Sequence, residues 1–431
     1  LKKAVEKIRK GELIGSLQAI SSMGPMALGV APYFTAFSSQ HRDEQFLREL
    51  CRSFPAVGHL EKRGGGKAWV TDTFEDVNGV TKTIRTLAGM AHDSKIPITV
   101  VTCLDQIPQV DFPLKNFNPI GSFRMPEYES LLISFPPFLE MIAYFEEEEF
   151  DEIIISTPGS LGLIALVAAK MLGLSVRGIY HTDFPRFFRD ISGDDRLGEM
   201  TWRFMRWFYG KMDQVLVPSL QYKKLLIDGG FEPTVIDVMP RGINLKNFNQ
   251  EFRKPTFYAD RGLVHSFRFI YAGRISREKN IEQLLKAFKM LCDRGVEADL
   301  VLVGDGPLRE NLEAKYGSEQ ILFMGYMYGD ELAEAYASAD LFVFPSRTDT
   351  FGNVVLEAHA SGLPAIVSNE GGPQEIVGSH GSGLIVDMSS AELLAEAMER
   401  VLQDRTLFGQ LKLAAEEKAK ASRWEYALEK L

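Results

Sequence analysis

At 431 residues the chain is too long for one ordinary domain and suits two or three. Its 45% hydrophobic and 25% charged content excludes disordered and fibrous classes. A net charge of −10 excludes a nucleic-acid-binding surface over the whole protein.

In chain order, residues 1–63 carry two helical patterns. One covers 1–17. The other covers 42–54 and puts Phe46, Leu47, Leu50 and Cys51 on one face. This region reads as an N-terminal extension or the tail of an upstream domain, and Gly64-Gly65-Gly66 as a linker. From Lys67 short apolar strands alternate with helices. Strands are predicted at 68–70, 96–103, 152–156, 176–180, 214–217 and 235–239. Helices are predicted at 80–92, 162–172 and 197–212, with a short one after Pro218-Ser219. The alternation predicts a parallel, doubly wound α/β domain over 67–245. Residues 240–266 are polar and irregular and mark a boundary. The alternation restarts at 267–271 and predicts a second α/β domain over 246–410, then a terminal helical segment, 411–431, with Trp424 and Tyr426 near its end.

No apolar run reaches the roughly 18 residues a membrane span requires. The longest, 153–174, is broken by Thr157-Pro158-Gly159 and Lys170. No stretch reads as a secretory leader. Cys51, Cys103 and Cys292 lie far apart and read as reduced thiols in a cytoplasmic compartment. The seven histidines form no metal-ligand spacing and no Asp-x-Asp ends a strand, so no metal is expected.

The most informative stretch is 342–377, FVFPSRTDTFGNVVLEAHASGLPAIVSNEGGPQEIV. An apolar strand ends at Pro345-Ser346, and a polar loop, Arg347 to Thr350, follows. A helical pattern opens at Phe351-Gly352-Asn353 and stops near Gly362-Leu363-Pro364. Free amides and the dipole at such a helix mouth suit a phosphate. Glu357 sits about 8 Å further along the axis at ~1.5 Å per residue. There it either bonds a sugar hydroxyl or lies on a solvated face. Ligands of open parallel sheets bind beyond the carboxyl ends of the strands, and two such sheets facing each other make a cleft. The polar residues following strands are Gly273-Arg274, Gly304-Asp305-Gly306, Gly325-Tyr326 and the 347–350 loop. Arg274 and Lys279 in GRISREK together suit a diphosphate, although each alone is more often a solvated charge. Gly304-Asp305-Gly306 lacks the GxGxxG spacing, which excludes a dehydrogenase. His181, alone after a strand, is on its residues more often structural than functional.

In order, FIYAGRISREKN, LVGDGP, FMGYM and the 342–377 stretch resemble the C-terminal half of retaining, two-domain GT-B glycosyltransferases, specifically family 4 (glycosyl transferases group 1). DTFEDVNGV, TPGSLGLIALVAAKMLG, YHTDFPRF and VLVPS followed by MPRGIN resemble the N-terminal half, so the likeness covers 67–431. It implies two Rossmann-like domains facing a cleft, an acceptor-binding one and a nucleotide-sugar-binding one. It also implies a C-terminal helix crossing back to the first, anchored by Trp424. By the same resemblance Glu357 bonds the donor ribose and Arg274 and Lys279 bind the diphosphate. The backbone of Phe351, Gly352, Asn353 and Val354 holds the β-phosphate. Gly79 approaches the reacting centre, His181 lies near the transferred sugar, and Gly273, Gly304, Gly306 and Tyr326 line the donor pocket. Asp349 falls where the family carries the first Glu of E-x7-E. The chain reads D-x7-E, one methylene shorter.

The implied reaction is a retaining, metal-independent transfer of a hexose, mannose ahead of glucose-type sugars, from a GDP- or UDP-sugar. The acceptor is a hydroxyl of a lipid, glycan or small molecule. No cofactor is expected. Attack is expected on the same face as departure, with the leaving phosphate as base and domain closure excluding water. The alternatives are a sugar-nucleotide epimerase of this fold and a non-catalytic sugar-nucleotide-binding protein. A phosphorylase would need a pyridoxal-phosphate lysine, for which no context exists. Acceptor choice is assigned to loops 106–128 and 184–198. Residues 200–211, MTWRFMRWFYGK, place Arg203 and Arg206 on one helical side among Trp202, Met205, Trp207, Phe208 and Tyr209. They read either as a core helix with snorkelling arginines or as a peripheral contact with the inner face of a membrane.

Overall fold

A computed structural model describes residues 65–75, 79–125 and 128–431, together with Phe46, Leu50, Ser53 and Phe54. The helical patterns of 1–17 and, apart from those four residues, 42–54 lie outside the described residues. So does the reading of 1–63 as an extension. Two units divide the chain: one ends at Tyr180 and takes in Trp207–Leu216, the other comprises His181–Arg206 and Val217–Leu431.

Among the described residues the first nine strands are β1 (Gly66–Val70), β2 (Ile98–Thr102), β3 (Leu114–Asn116), β4 (Gly121–Met125), β5 (Tyr128–Phe135), β6 (Phe150–Ile155), β7 (Ser175–Ile179), β8 (Gln214–Val217) and β9 (Ile236–Val238). Seven of them form a sheet in the order β3-β2-β1-β6-β7-β8-β9, and β4 pairs antiparallel with β5. The pairs from β3 through β8 run parallel. The order reverses between β1 and β6. There Asp72, just past β1, accepts hydrogen bonds from Leu161 N at 2.8 Å, Gly162 N at 3.2 Å and Thr157 Oγ1 at 2.8 Å. Its carboxylate thus satisfies amides at the start of the helix Ser160–Met171. Burial raises the Asp72 pKa, and those hydrogen bonds pull it back.

The remaining strands are β10 (Arg268–Ala272), β11 (Asp299–Val303), β12 (Ile321–Gly325), β13 (Leu341–Phe344), β14 (Ala365–Ser368) and β15 (Gly383–Val386). They form a six-stranded sheet, β12-β11-β10-β13-β14-β15, with every neighbouring pair parallel. DLVLV, LFVF and AIVS are buried at every residue. A parallel sheet covered on both faces requires such continuous apolar runs. The helix Ile281–Asp293 covers it with Ile281, Leu284, Leu285, Phe288 and Leu291, one stripe at helical spacing. The order reverses between β10 and β13, so the loops that leave these two strands share the switch point.

Residues 184–198 are not the loop expected from sequence. Phe184–Ser192 is a helix, with Asp183 accepting from Arg186 N as its cap, Pro185 in its first turn, and Gly193 at φ 69° ending it. Within 106–128 the structure shows β3 and β4. The predicted helix at 197–212 is Asp195–Tyr209. After the helix Arg405–Ala421, Trp424 lies against Gly242, where a Cβ would stand 2.2 Å from the Trp424 amide nitrogen. Lys430 Nζ then meets Asp237 Oδ2 on β9 at 2.6 Å. Among the described residues no helix is long and apolar enough to cross a membrane.

Candidate active site

The loop after β10 begins at Gly273 and closes in a 3-10 turn, Arg277–Lys279. The loop after β11 lies against it, backbone to backbone. Gly273 N donates to Val303 O at 2.9 Å, Ile275 N to Asp305 O at 2.9 Å, and Leu308 N to Ile275 O at 3.1 Å. Glycine at 304 is forced by this approach, since a Cβ there would stand 1.9 Å from the Gly273 carbonyl oxygen. Gly306 similarly faces the Ile275 carbonyl. Gly273, Gly304 and Gly306 therefore shape the loop that carries Arg274 and Lys279. The Arg274 carbonyl accepts from Tyr271 Oη at 2.8 Å, and the Tyr271 ring stacks on Phe344 of β13.

The loop after β13 meets this turn. Lys279 Nζ lies 2.8 Å from Asp349 Oδ1 and 2.7 Å from Oδ2, and the Ser346 hydroxyl donates to the same carboxylate. The helix Asn353–Ala360 then starts from Gly352, whose φ of 91° is a left-handed conformation. Phe351 and Val354 at its mouth pack half-buried against the core, and Asn353 is its first residue. Gly371-Gly372 lets the next loop lie on this one: Gly372 N donates to Asp349 O at 2.8 Å, and a Cβ on Gly372 would stand 2.0 Å from the Thr350 carbonyl oxygen.

Glu357 is 5% exposed, so it does not lie on a solvated face. Tyr336 Oη donates to its Oε2 at 3.3 Å. His181 lies beside the same loop, its carbonyl accepting from Thr350 Oγ1 at 2.5 Å and its Nδ1 standing 2.7 Å from Arg241 Nη2. Burial and the Arg241 charge hold the His181 pKa well below the ordinary imidazole value.

Of the expected residues, the structure thus brings Lys279, Asp349, His181 and the 351–354 helix mouth to one place, with Glu357 deeper in the same helix. Tyr326 follows the edge strand β12 and stacks on Tyr328. Gly79 belongs to the other unit and opens the helix Gly79–Asp93. Four partners escaped the sequence reading: Ser346, Tyr336, Arg241, and Glu370, which Arg186 and Arg347 hold between them. For Arg241 a signal existed, a cation just past a strand in MPRGIN. Ser346 and Tyr336 carry no local mark.

Two parallel α/β sheets, the second with a lysine–carboxylate loop at its switch point, are the architecture of a GT-B glycosyltransferase. The family model for Glycosyltransferase Family 4 matches residues 77–247, and that for Glycosyl transferases group 1 matches 262–422. The chain belongs to this group 1, family 4 class of glycosyltransferases. It is 31% identical to a GDP-mannose-dependent alpha-mannosyltransferase of Corynebacterium glutamicum over 74% of this chain and 72% of that protein. It is 30% identical to a sulfoquinovosyl transferase of Arabidopsis thaliana over 78% of this chain and 66% of that one. Among solved structures, the sucrose-phosphate synthase of Thermosynechococcus elongatus shares the fold, with a TM-score of 0.68 at 21% identity over 85% of this chain and 97% of that one.

Proposed function

We propose that the protein transfers a hexose, with retention, from a GDP- or UDP-sugar to a hydroxyl of a lipid or glycan acceptor. The observation that carries this reading is the pairing of Lys279 with Asp349 at the mouth of the helix Asn353–Ala360, at the switch point of the second sheet. Before donor binds, the carboxylate holds the ammonium in place. An incoming diphosphate competes for Lys279 and meets helix-end amides aligned on it. Arg274 supplies the second cation. Neutralising the departing diphosphate in this way requires neither metal nor cofactor. Asp349 then turns to the sugar hydroxyls and Glu357 to the ribose. The mannosyltransferase relative supports a nucleotide-activated donor and favours mannose. The acceptor hydroxyl attacks on the face the phosphate leaves and gives its proton to that phosphate. Incubation with GDP-mannose or UDP-glucose tests the assignment. Release of nucleoside diphosphate that depends on acceptor is expected. A rearranged sugar nucleotide without release would favour the epimerase and overturn transfer.

We further propose that the acceptor is met at a cytoplasmic membrane face. The helix Asp195–Tyr209 buries Met205, Phe208 and Tyr209 and exposes Leu197, Met200, Phe204 and Trp207, the last two apart by three residues. Met200 is 67% and Trp207 50% exposed. The exposed four recur at helical spacing on one side, with Arg196 and Arg203 exposed along its edge. An apolar stripe edged by cations suits an anionic bilayer surface. Co-sedimentation with anionic vesicles is expected and should weaken in Met200→Ser/Trp207→Ser. Equal binding by both proteins, or none by either, contradicts the contact.

A further inference from the structure

Arg241 and His181 form a buried pair with only one chemical polarity. Arg241 Nη2 stands 2.7 Å from His181 Nδ1, and the two side chains are 6% and 5% exposed. A guanidinium has five N–H donors and no acceptor. Burial lowers the Arg241 pKa to about 10, which leaves it cationic at neutral pH. Arg241 therefore donates and Nδ1 accepts. Nδ1 carries no proton, and the single proton of the neutral ring sits on Nε2. A second proton would set imidazolium against guanidinium in a buried site. The backbone is held as well, through the bond from Thr350 Oγ1 to the His181 carbonyl.

We propose that Arg241 is a positioning residue that fixes His181 as the neutral Nε2–H tautomer. In that form His181 serves the transfer as a hydrogen-bond donor to a substrate oxygen and not as a base. This rests on the proposed transfer, in which His181 would lie beside the transferred sugar as the family resemblance implies. A donor-only partner at Nδ1 removes the base function that a free imidazole offers. The acceptor's proton is then left to the departing phosphate, whose bond to the anomeric carbon breaks as the new glycosidic bond forms.

Two measurements separate the tautomer from its use. In protein labelled with nitrogen-15 histidine, the signal among the seven imidazoles that disappears in His181→Gln belongs to His181. At neutral pH it should show an unprotonated Nδ1 and a protonated Nε2. In Arg241→Met it should become a titrating mixture, and Arg241→Lys, which keeps a charge and a donor, should restore part of the pattern. A protonated Nδ1 in the parent protein, or the same pattern in Arg241→Met, overturns the pairing. Kinetics form the second arm. Arg241→Met should lower kcat/KM about tenfold or more, and that loss should largely vanish in a His181→Gln background, as for residues acting as one unit. Equal losses in both backgrounds overturn action through His181. A fixed tautomer with turnover indifferent to His181→Gln overturns the role at the sugar and leaves the pairing standing.

Discussion

At Glu357 two demands meet. A carboxylate that is 5% exposed needs partners, and the proposed ribose contact needs an oxygen to offer. Tyr336 Oη answers the first by donating to Oε2. Burial, then the Glu357 charge, pushes the Tyr336 pKa well above the ordinary phenol value, so this hydroxyl stays protonated and donating. Glu357→Gln keeps the shape and an acceptor for Tyr336 but gives up the charge. Hydrogen bonds to a charged group contribute about 1.5–3 kcal/mol, so kcat/KM for donor should fall roughly 10- to 100-fold. The thermal midpoint should barely move. Steady-state kinetics beside a melting curve checks this, and an unchanged kcat/KM contradicts the ribose role. Asp349 poses the opposite case. Its shorter side chain is gripped on both oxygens by Lys279 and on one by Ser346. Asp349 and Lys279 were legible because charged groups past strand ends are marked in sequence, and Glu357 because it falls inside the helix that opens at Gly352. Tyr336 carried no such mark, and Arg241, although a cation just past a strand, pairs with a residue 60 positions away that only the fold brings to it.

The helix Asn353–Ala360 is the element on which the site is mounted, and its far end is tied down by His359. That ring is fully buried, with Nδ1 2.9 Å from Leu363 O and Nε2 2.9 Å from Ser382 Oγ. Burial lowers its pKa from 6.5 to about 4. The native state therefore refuses a proton that the unfolded chain accepts near 6.5. Stability from His359 is complete above that pH and is lost as pH falls toward about 4, amounting to about 3 kcal/mol over the interval. His181, also lowered, adds in the same direction. Denaturant titrations between pH 7 and 4 should show the loss, and His359→Gln should flatten it by up to one proton's slope. An identical slope in that variant contradicts the assignment. The helix itself was readable from Gly352, Pro364 and the apolar spacing between them. The double glycine was visible too. Its cause, a loop lying 2.0 Å from where a Cβ would sit, is a tertiary contact that no local pattern records.

For the molecule as a whole, alternation of buried strands and amphipathic helices made both sheets legible, because parallel strands read as uninterrupted apolar runs. What stayed hidden was marked weakly. β3 is three residues long and half-buried throughout, and β15 is nowhere fully buried. The helix Phe184–Ser192 does carry Phe184, Phe187 and Phe188 at helical spacing, but it is nine residues long and has Pro185 in its first turn, which reads as a loop. The sulfoquinovosyl and mannosyl relatives agree on transfer of a sugar and differ in which sugar. The direct measurement is the anomeric configuration of the product. With GDP-mannose and an acceptor lipid or glycan, proton NMR of the product should show the donor's α configuration, with one GDP released per sugar transferred. An inverted, β-linked product, or no transfer from any sugar nucleotide, would contradict retaining transfer through the Lys279–Asp349 site.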